Sequence, residues 1–139
     1  MFVLDTNVIS EMRRPERANS NVRVWVSARP PGEFFLSVAT ILELELGARL
    51  MERKDARQAG IYRNWIDGFI LPTFDGRILP VDTAVALRCA ALHVPNKRSD
   101  RDAFIAATAL IHGMTVVTRN VRDFEGTGVS LINPWEIAA

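Results

Sequence analysis

The opening run Met-Phe-Val-Leu-Asp-Thr-Asn narrows the possible folds more than any other segment of the chain. Phe2, Val3 and Leu4 show no polar alternation, the pattern of a strand covered on both faces in a parallel sheet. Asp5 ends the run. Thr6 and Asn7 are helix-starting residues, and Val8, Ile9 and Met12 follow at helical spacing. A sheet of this kind needs helices on both faces, and its ligands sit beyond the carboxyl ends of its strands, where Asp5 stands. Taken alone, Asp5 reads more simply as a cap for the helix that follows.

The same alternation recurs along the chain. Arg13-Arg14-Pro15 ends the first helix, because a residue preceding proline avoids helical geometry. A second helix is expected over 21–28, stopped at Pro30-Pro31-Gly32, and Phe34 to Ser37 reads as a second buried strand. Thr40 to Arg53 is expected to be helical with Ile41, Leu44, Ala48 and Met51 on one stripe. A further helix over 56–70 carries Ile61, Trp65 and Phe69 at i, i+4, i+8. Arg77-Ile78-Leu79 is a short strand between Gly76 and Pro80. Asp82 starts the helix that holds Cys89, and Pro95 breaks it. Ser99 or Asp100 starts another helix, which Gly113 closes. Thr115 to Thr118 and Ser130 to Ile132 are the last strands. Short strands alternating with helices predict an α/β fold, a central and mostly parallel sheet flanked by helices. Right-handed crossovers then place the strands' carboxyl ends along one edge.

At 139 residues the chain suits one domain, 1–139, with a substantial core. Its single cysteine excludes a disulfide framework and any multi-cysteine metal site. No stretch is long enough to span a membrane, and no basic region precedes the N-terminal apolar residues, so a cytoplasmic protein is expected. Only Lys54 and Lys97 among the seventeen basic residues are lysines; the rest are arginines, whose planar fork suits phosphate.

Three further acids stand near strand ends or helix starts. Glu43 follows the second strand, Asp123 follows Thr118, and Asp102 lies in the first turn of the helix beginning near Ser99. Thr40-x-x-Glu43, Ser99-x-x-Asp102 and Asn120-x-x-Asp123 each have capping-box spacing, and any one alone is explained as a cap. Together they are not. Asp5, Glu43 and Asp123 all fall on one edge of the sheet, and acids gathered there repel one another unless something positive binds. Oxygen donors without His or Cys suit Mg²⁺ or Mn²⁺ rather than Zn²⁺. His93 and His112 both fall late in helices, where they complement the helix dipole.

Four segments resemble the motifs of PIN-domain ribonucleases: Asp5 to Glu11, Glu43 to Gly47, Asp102 to Ala109 and Thr118 to Phe124. They look most like the VapC toxins of bacterial toxin–antitoxin pairs, in their FitB-like branch, and the closing Ile132-Asn133-Pro134-Trp135 is similar to the end of that branch. The resemblance spans the whole chain in order. It implies that Asp5, Glu43, Asp102 and Asp123 are metal-binding, catalytic acids, with Asp5 and Asp102 the central pair. Thr118 and Asn120 would support the acids or their water, and Thr6 and Asn7 would fix the turn that aims Asp5. Gly47 would allow a close helix contact. Asp100 reads as a helix-start residue and Glu45 as facing away from Glu43, with an outer ligand role for Asp100 left open.

The activity so implied is hydrolysis of RNA phosphodiester bonds with an acid-bound Mg²⁺ or Mn²⁺, giving a 5′-phosphate and a 3′-hydroxyl. With the four acids set aside, seventeen basic groups face twelve acidic ones, which is compatible with a polyanionic substrate. By resemblance the partners are a VapB-type DNA-binding antitoxin and a second copy of the chain. Val22, Trp25, Val26, Trp65 and Phe69 are open either to such contacts or to the core. A haloacid-dehalogenase-type phosphatase needs an acid two residues after Asp5, where Asn7 stands, and a receiver domain needs paired early acids. A PIN domain that has lost catalysis and only binds partners is the remaining alternative.

Overall fold

The computed structural model describes residues 1–137; Ala138 and Ala139, the end of the expected span, lie outside the described residues. β1 (Phe2–Leu4) is the middle strand of a five-stranded sheet whose paired neighbours are all parallel. With β2 (Phe34–Ser37), β3 (Ile78–Leu79), β4 (Thr115–Val117) and β5 (Leu131–Ile132), the order is β3-β2-β1-β4-β5. The chain therefore winds outward one way through β2 and β3, then returns to the other side of β1 for β4 and β5. The reversal lies between β1 and β4. A crevice opens at such a point, outside the carboxyl ends of the two strands.

Period-two alternation distributes the strand side chains to two cores. Leu4, Leu36 and Val117 join Val8, Ile9, Val22, Trp25 and Leu44 on one face. Val3 and Val116 join Ile105, Ala106, Ala109 and Phe124 on the other. The first face is covered by α1 (Thr6–Met12), α2 (Ser20–Ser27) and α3 (Val38–Glu52); the second by α7 (Asp100–His112). Ala103, Ala106, Ala107 and Ala109 of α7 are fully enclosed. Such small side chains let the helix lie close to the sheet and to α6 (Thr83–Leu92), whose Val85 and Cys89 cluster with Ala103 and Ala107. Trp25 stacks edge-on to Phe2 at 5.1 Å, so Trp25 and Val22 belong to the core rather than to a surface.

Two expectations need correction. Helix α3 starts two residues early, because the Ser37 hydroxyl, not that of Thr40, accepts the free Ala39 N–H. Thr40 is buried inside the helix and Glu43 is its sixth residue, so no capping box forms there. The helix expected over 56–70 is also interrupted. α4 (Ala56–Trp65) passes into a π-helical segment (Ile66–Ile70) and a last turn, α5 (Leu71–Thr73). Ala59 is the buried residue of α4 and Ile61 is exposed, while within the wider turn Ile66 and Ile70 are buried and Phe69 is exposed.

Ile105 is fully enclosed between α7 and the sheet. Ile105→Ala is expected to cost about 2–5 kcal/mol in urea unfolding. Leu87→Ala, at a side chain 70% exposed on α6, is expected to stay within about 0.5 kcal/mol of wild type.

Candidate active site

The crevice between β1 and β4 carries the acids. Asp5 follows β1 directly and is the N-cap of α1: its Oδ1 accepts the Thr6 N–H at 2.8 Å. Capping is therefore one job of this carboxylate and not its only one, since Oδ2 faces β4. There the Thr118 hydroxyl donates to Oδ2 at 2.8 Å, and Asn7 Nδ2 reaches the same oxygen at 3.5 Å. Thr118 is itself held, accepting from the Asn120 N–H at 3.0 Å and from Asn7 Nδ2 at 3.4 Å. The Thr6 and Thr40 hydroxyls meet at 3.2 Å and tie α1 to α3. Thr6, Asn7 and Thr118 thus restrain the Asp5 carboxylate directly, and Asn120 holds Thr118.

A pocket of about 300 Å³ gathers Asp5, Thr6, Asn7, Glu43, Asp102, Asn120 and Asp123. Thr118 is enclosed behind Asp5 rather than lining it. Asp102 enters from the first turn of α7, where Ser99 Oγ caps its N–H at 3.5 Å. Asp123 comes from a 3-10 turn (Val121–Phe124) for which Asn120 makes no side-chain cap, so the expected capping box is absent. Asp100 points elsewhere and contacts His93 Nε2 at 3.4 Å. Glu45 turns away from Glu43, as expected, and binds Arg63 through both oxygens at 2.6 and 2.8 Å. Tyr62 packs over Gly47, where an added Cβ would lie 3.5 Å from its hydroxyl oxygen.

Two pocket residues were not read from the sequence. Ser10 lies on α1 a little more than one turn beyond Asp5, and Arg101 precedes Asp102. Arg101 Nη1 contacts Glu43 Oε1 at 3.0 Å, while Glu43 Oε2 is buried and has no hydrogen-bond partner among the described residues. Adjacency to an acidic motif was the signal for Arg101, because an exposed helix residue beside a ligand often reaches the same rim.

Burial raises the Asp5 carboxyl above its ordinary range; Glu43 adds to this, and the bonds from Thr118 and Thr6 oppose it. Asp102 is pushed up to about 6, first by burial and then by the charges of Asp5 and Asp123, with Arg101 working against them. Such a pocket favours a cation. The donors are all oxygen, and the unpartnered Glu43 Oε2 is an acceptor in need of one. Among the described residues, however, no three His, Cys, Asp or Glu side chains stand close enough to enclose a single ion. The acids ring the pocket without converging on a point. Their oxygen chemistry and shared location suit a hard divalent cation.

Comparison with known proteins agrees with this layout. The PIN domain family model matches residues 2–128, and the chain belongs to the PIN-domain family. It is 40% identical over 145 residues to the VapC ribonuclease Y4jK of Sinorhizobium fredii, covering 99% of this chain and all of that one. It is 37% identical over 140 residues to the toxin FitB of Neisseria gonorrhoeae, covering 97% of this chain and 99% of the relative. The crystal structure of FitAcB from the same organism superposes with a TM-score of 0.89 at 36% identity, covering 99% of this chain and all of that one.

The Asp102 shift has a testable sign. Between its ordinary value of 3.8 and about 6, the folded state holds more proton than the unfolded state, so stability falls as pH rises through that window. In EDTA, the melting temperature is expected to rise as pH drops from about 7.5 towards 5. In Asp102→Asn that gain should be visibly smaller in parallel thermal melts.

Proposed function

We propose that the chain is the toxin of a type II toxin–antitoxin pair, a ribonuclease that hydrolyses RNA phosphodiester bonds with Mg²⁺ or Mn²⁺. One observation carries this reading: Asp5, Glu43, Asp102 and Asp123, from four separate segments, meet in one pocket at the point where the sheet order reverses. The names of full-length relatives, a VapC ribonuclease and a toxin, support it. The inactive-scaffold alternative draws no support from the sequence, since all four acids are present and line one pocket.

In this reading Asp5 and Asp102 would hold the cation, with Glu43 and Asp123 as the further acids of the pocket. A divalent cation bound there would supply a water of lowered pKa and neutralise charge that develops on the phosphate oxygens. The protein's part is to hold that set still. Thr118 and the Thr6 N–H restrain both oxygens of Asp5, so its orientation is settled before substrate arrives. Ser10 lines the pocket, but no histidine stands there to activate it, and a serine nucleophile is not needed. Cleavage leaves a 5′-phosphate and a 3′-hydroxyl.

The antitoxin is assigned to an apolar groove of about 370 Å³ on the α1, α2 and α4 side, where Met12, Val26, Trp65 and Phe69 lie. Phe69 is about half exposed there. The homodimer is assigned to α3, whose Leu42, Leu46 and Leu50 form an exposed stripe.

Asp5→Asn keeps the cap and removes the charge, since Asn caps about as well as Asp. The variant is expected to lose Mn²⁺-dependent RNA cleavage, and EDTA should abolish cleavage by wild type. In EDTA the variant should melt at or above wild type, while Mn²⁺ should raise the wild-type midpoint much more. Retained cleavage in Asp5→Asn overturns the mechanism. In sedimentation, Phe69→Asp is expected to lose the antitoxin and Leu46→Glu to lose the dimer. Both should still bind Mn²⁺.

A further inference from the structure

An acidic pocket repels the polyanion it is meant to cut. Phosphates on either side of the cleavage point must be held by fixed positive charge nearby. A second groove of about 330 Å³ adjoins the pocket and shares Asn120 and Asp123 with it; Arg119, Arg122, Asn133 and Glu136 form the rest of its polar lining. We propose that this groove binds the phosphate backbone of the RNA strand next to the cleavage point, through Arg119 and Arg122. The assignment rests on the ribonuclease reading and extends it to a substrate subsite.

The groove is built rather than incidental. The Arg119 N–H donates to Asn7 Oδ1 at 3.3 Å, and its carbonyl accepts from Asn133 Nδ2 at 3.4 Å. The residue that steers Asp5 therefore also sets the backbone of Arg119. The Arg119 guanidinium lies 5.3 Å from the centre of the Trp135 ring, which restrains the long side chain and leaves its donors for a ligand. Arg122 stands one residue before Asp123 and is exposed. Among the described residues neither arginine pairs with an acid, whereas Arg49 and Arg63 are tied to Glu45 and Arg101 to Glu43. Arginine forks suit phosphate oxygens, and the amides of Asn120 and Asn133 suit sugar hydroxyls. An acidic peptide would also meet two arginines here. RNA is favoured because the groove opens into the pocket, so a strand placed for cutting must continue along it.

The test is fluorescence anisotropy of a labelled single-stranded RNA in EDTA, across a salt series. Wild type is compared with Arg119→Ala/Arg122→Ala, with Arg122→Ala alone and with Arg57→Ala on the remote surface of α4. The double variant should bind about tenfold more weakly at low salt. The slope of log affinity against log salt should fall by about 0.7 for each phosphate no longer neutralised, about 1.4 for the pair. Arg57→Ala should match wild type, and Glu136→Gln should bind more tightly. Arg122→Ala alone carries the test if changing Arg119 unfolds its loop. Equal affinity and slope in wild type and the arginine variants overturns the proposal, as does the absence of wild-type binding. Unchanged RNA binding with weakened antitoxin binding overturns it in favour of a peptide site. Arginine-dependent binding without cleavage in Mn²⁺ leaves the groove standing while the nuclease reading falls.

Discussion

The hydrogen bond from the Thr118 hydroxyl to Asp5 Oδ2 joins the ends of two neighbouring parallel strands, and the site is arranged around it. Asp5 is only 6% exposed, and a carboxylate so placed is unfavourable unless its oxygens are hydrogen-bonded. Thr6 supplies one of those bonds from the next residue, and Thr118 supplies the other only with β1 and β4 in register, Leu4 opposite Val117. Because register sets the bond, the parallel pairing that builds the core also aims the carboxylate. A slip of one residue would turn Thr118 away and put Asp5 against an apolar neighbour.

The helices answer to the same centre. Small residues on α7 bring its first turn close enough for Asp102 to join Asp5, and their mutual repulsion is part of what raises Asp102. On α3, Glu43 faces the pocket while Glu45, two residues on, is clamped by Arg63. Two residues along a helix turn the side chain to the opposite face, so Glu45 stays out of the pocket and its charge is met by Arg63. Arg101 offsets some of the remaining charge by contact with Glu43. Repulsion is therefore confined to the acids that have a use.

Much of this could be read in the sequence, for reasons that are physical. Unbroken apolar runs such as Phe2-Val3-Leu4 have few alternatives to a buried parallel strand, and a parallel sheet must gather its carboxyl ends at one edge. That inference carried Asp5, Glu43 and Asp123 to a common place, and family likeness added Asp102. What escaped depended on competition between near-equal local choices. Ser37 and Thr40 are both able N-caps, and only the end of β2 decides for Ser37. The π-helical segment at Ile66 has no marker in a pattern of spacing, so the exposed and buried positions beyond it were exchanged. Ser10 is a common residue type whose place in the pocket appears only when separate helices are brought together, and Arg101 had only its adjacency to Asp102 to mark it. Trp25 and Val22 were equally open to core and surface until Phe2 and Phe34 were placed beside Trp25.

Helix α1 is a partition with both sides in use. Val8, Ile9 and Met12 line the apolar groove, Thr6, Asn7 and Ser10 line the acid pocket, and Glu11 accepts the Asn19 N–H at 2.7 Å to hold the segment that follows. None of its seven residues is idle. With the antitoxin seated in the groove as proposed, a lineage changing its inhibitor cannot easily do so by altering α1, because almost any new side chain there disturbs the groove, the pocket or the next turn. Room to diversify lies on the opposite wall, at Val26 of α2 and at Trp65 and Phe69 along α4 and its π-helical continuation. Related toxins sharing one cell could thus keep the same cutting edge and still refuse each other's antidotes.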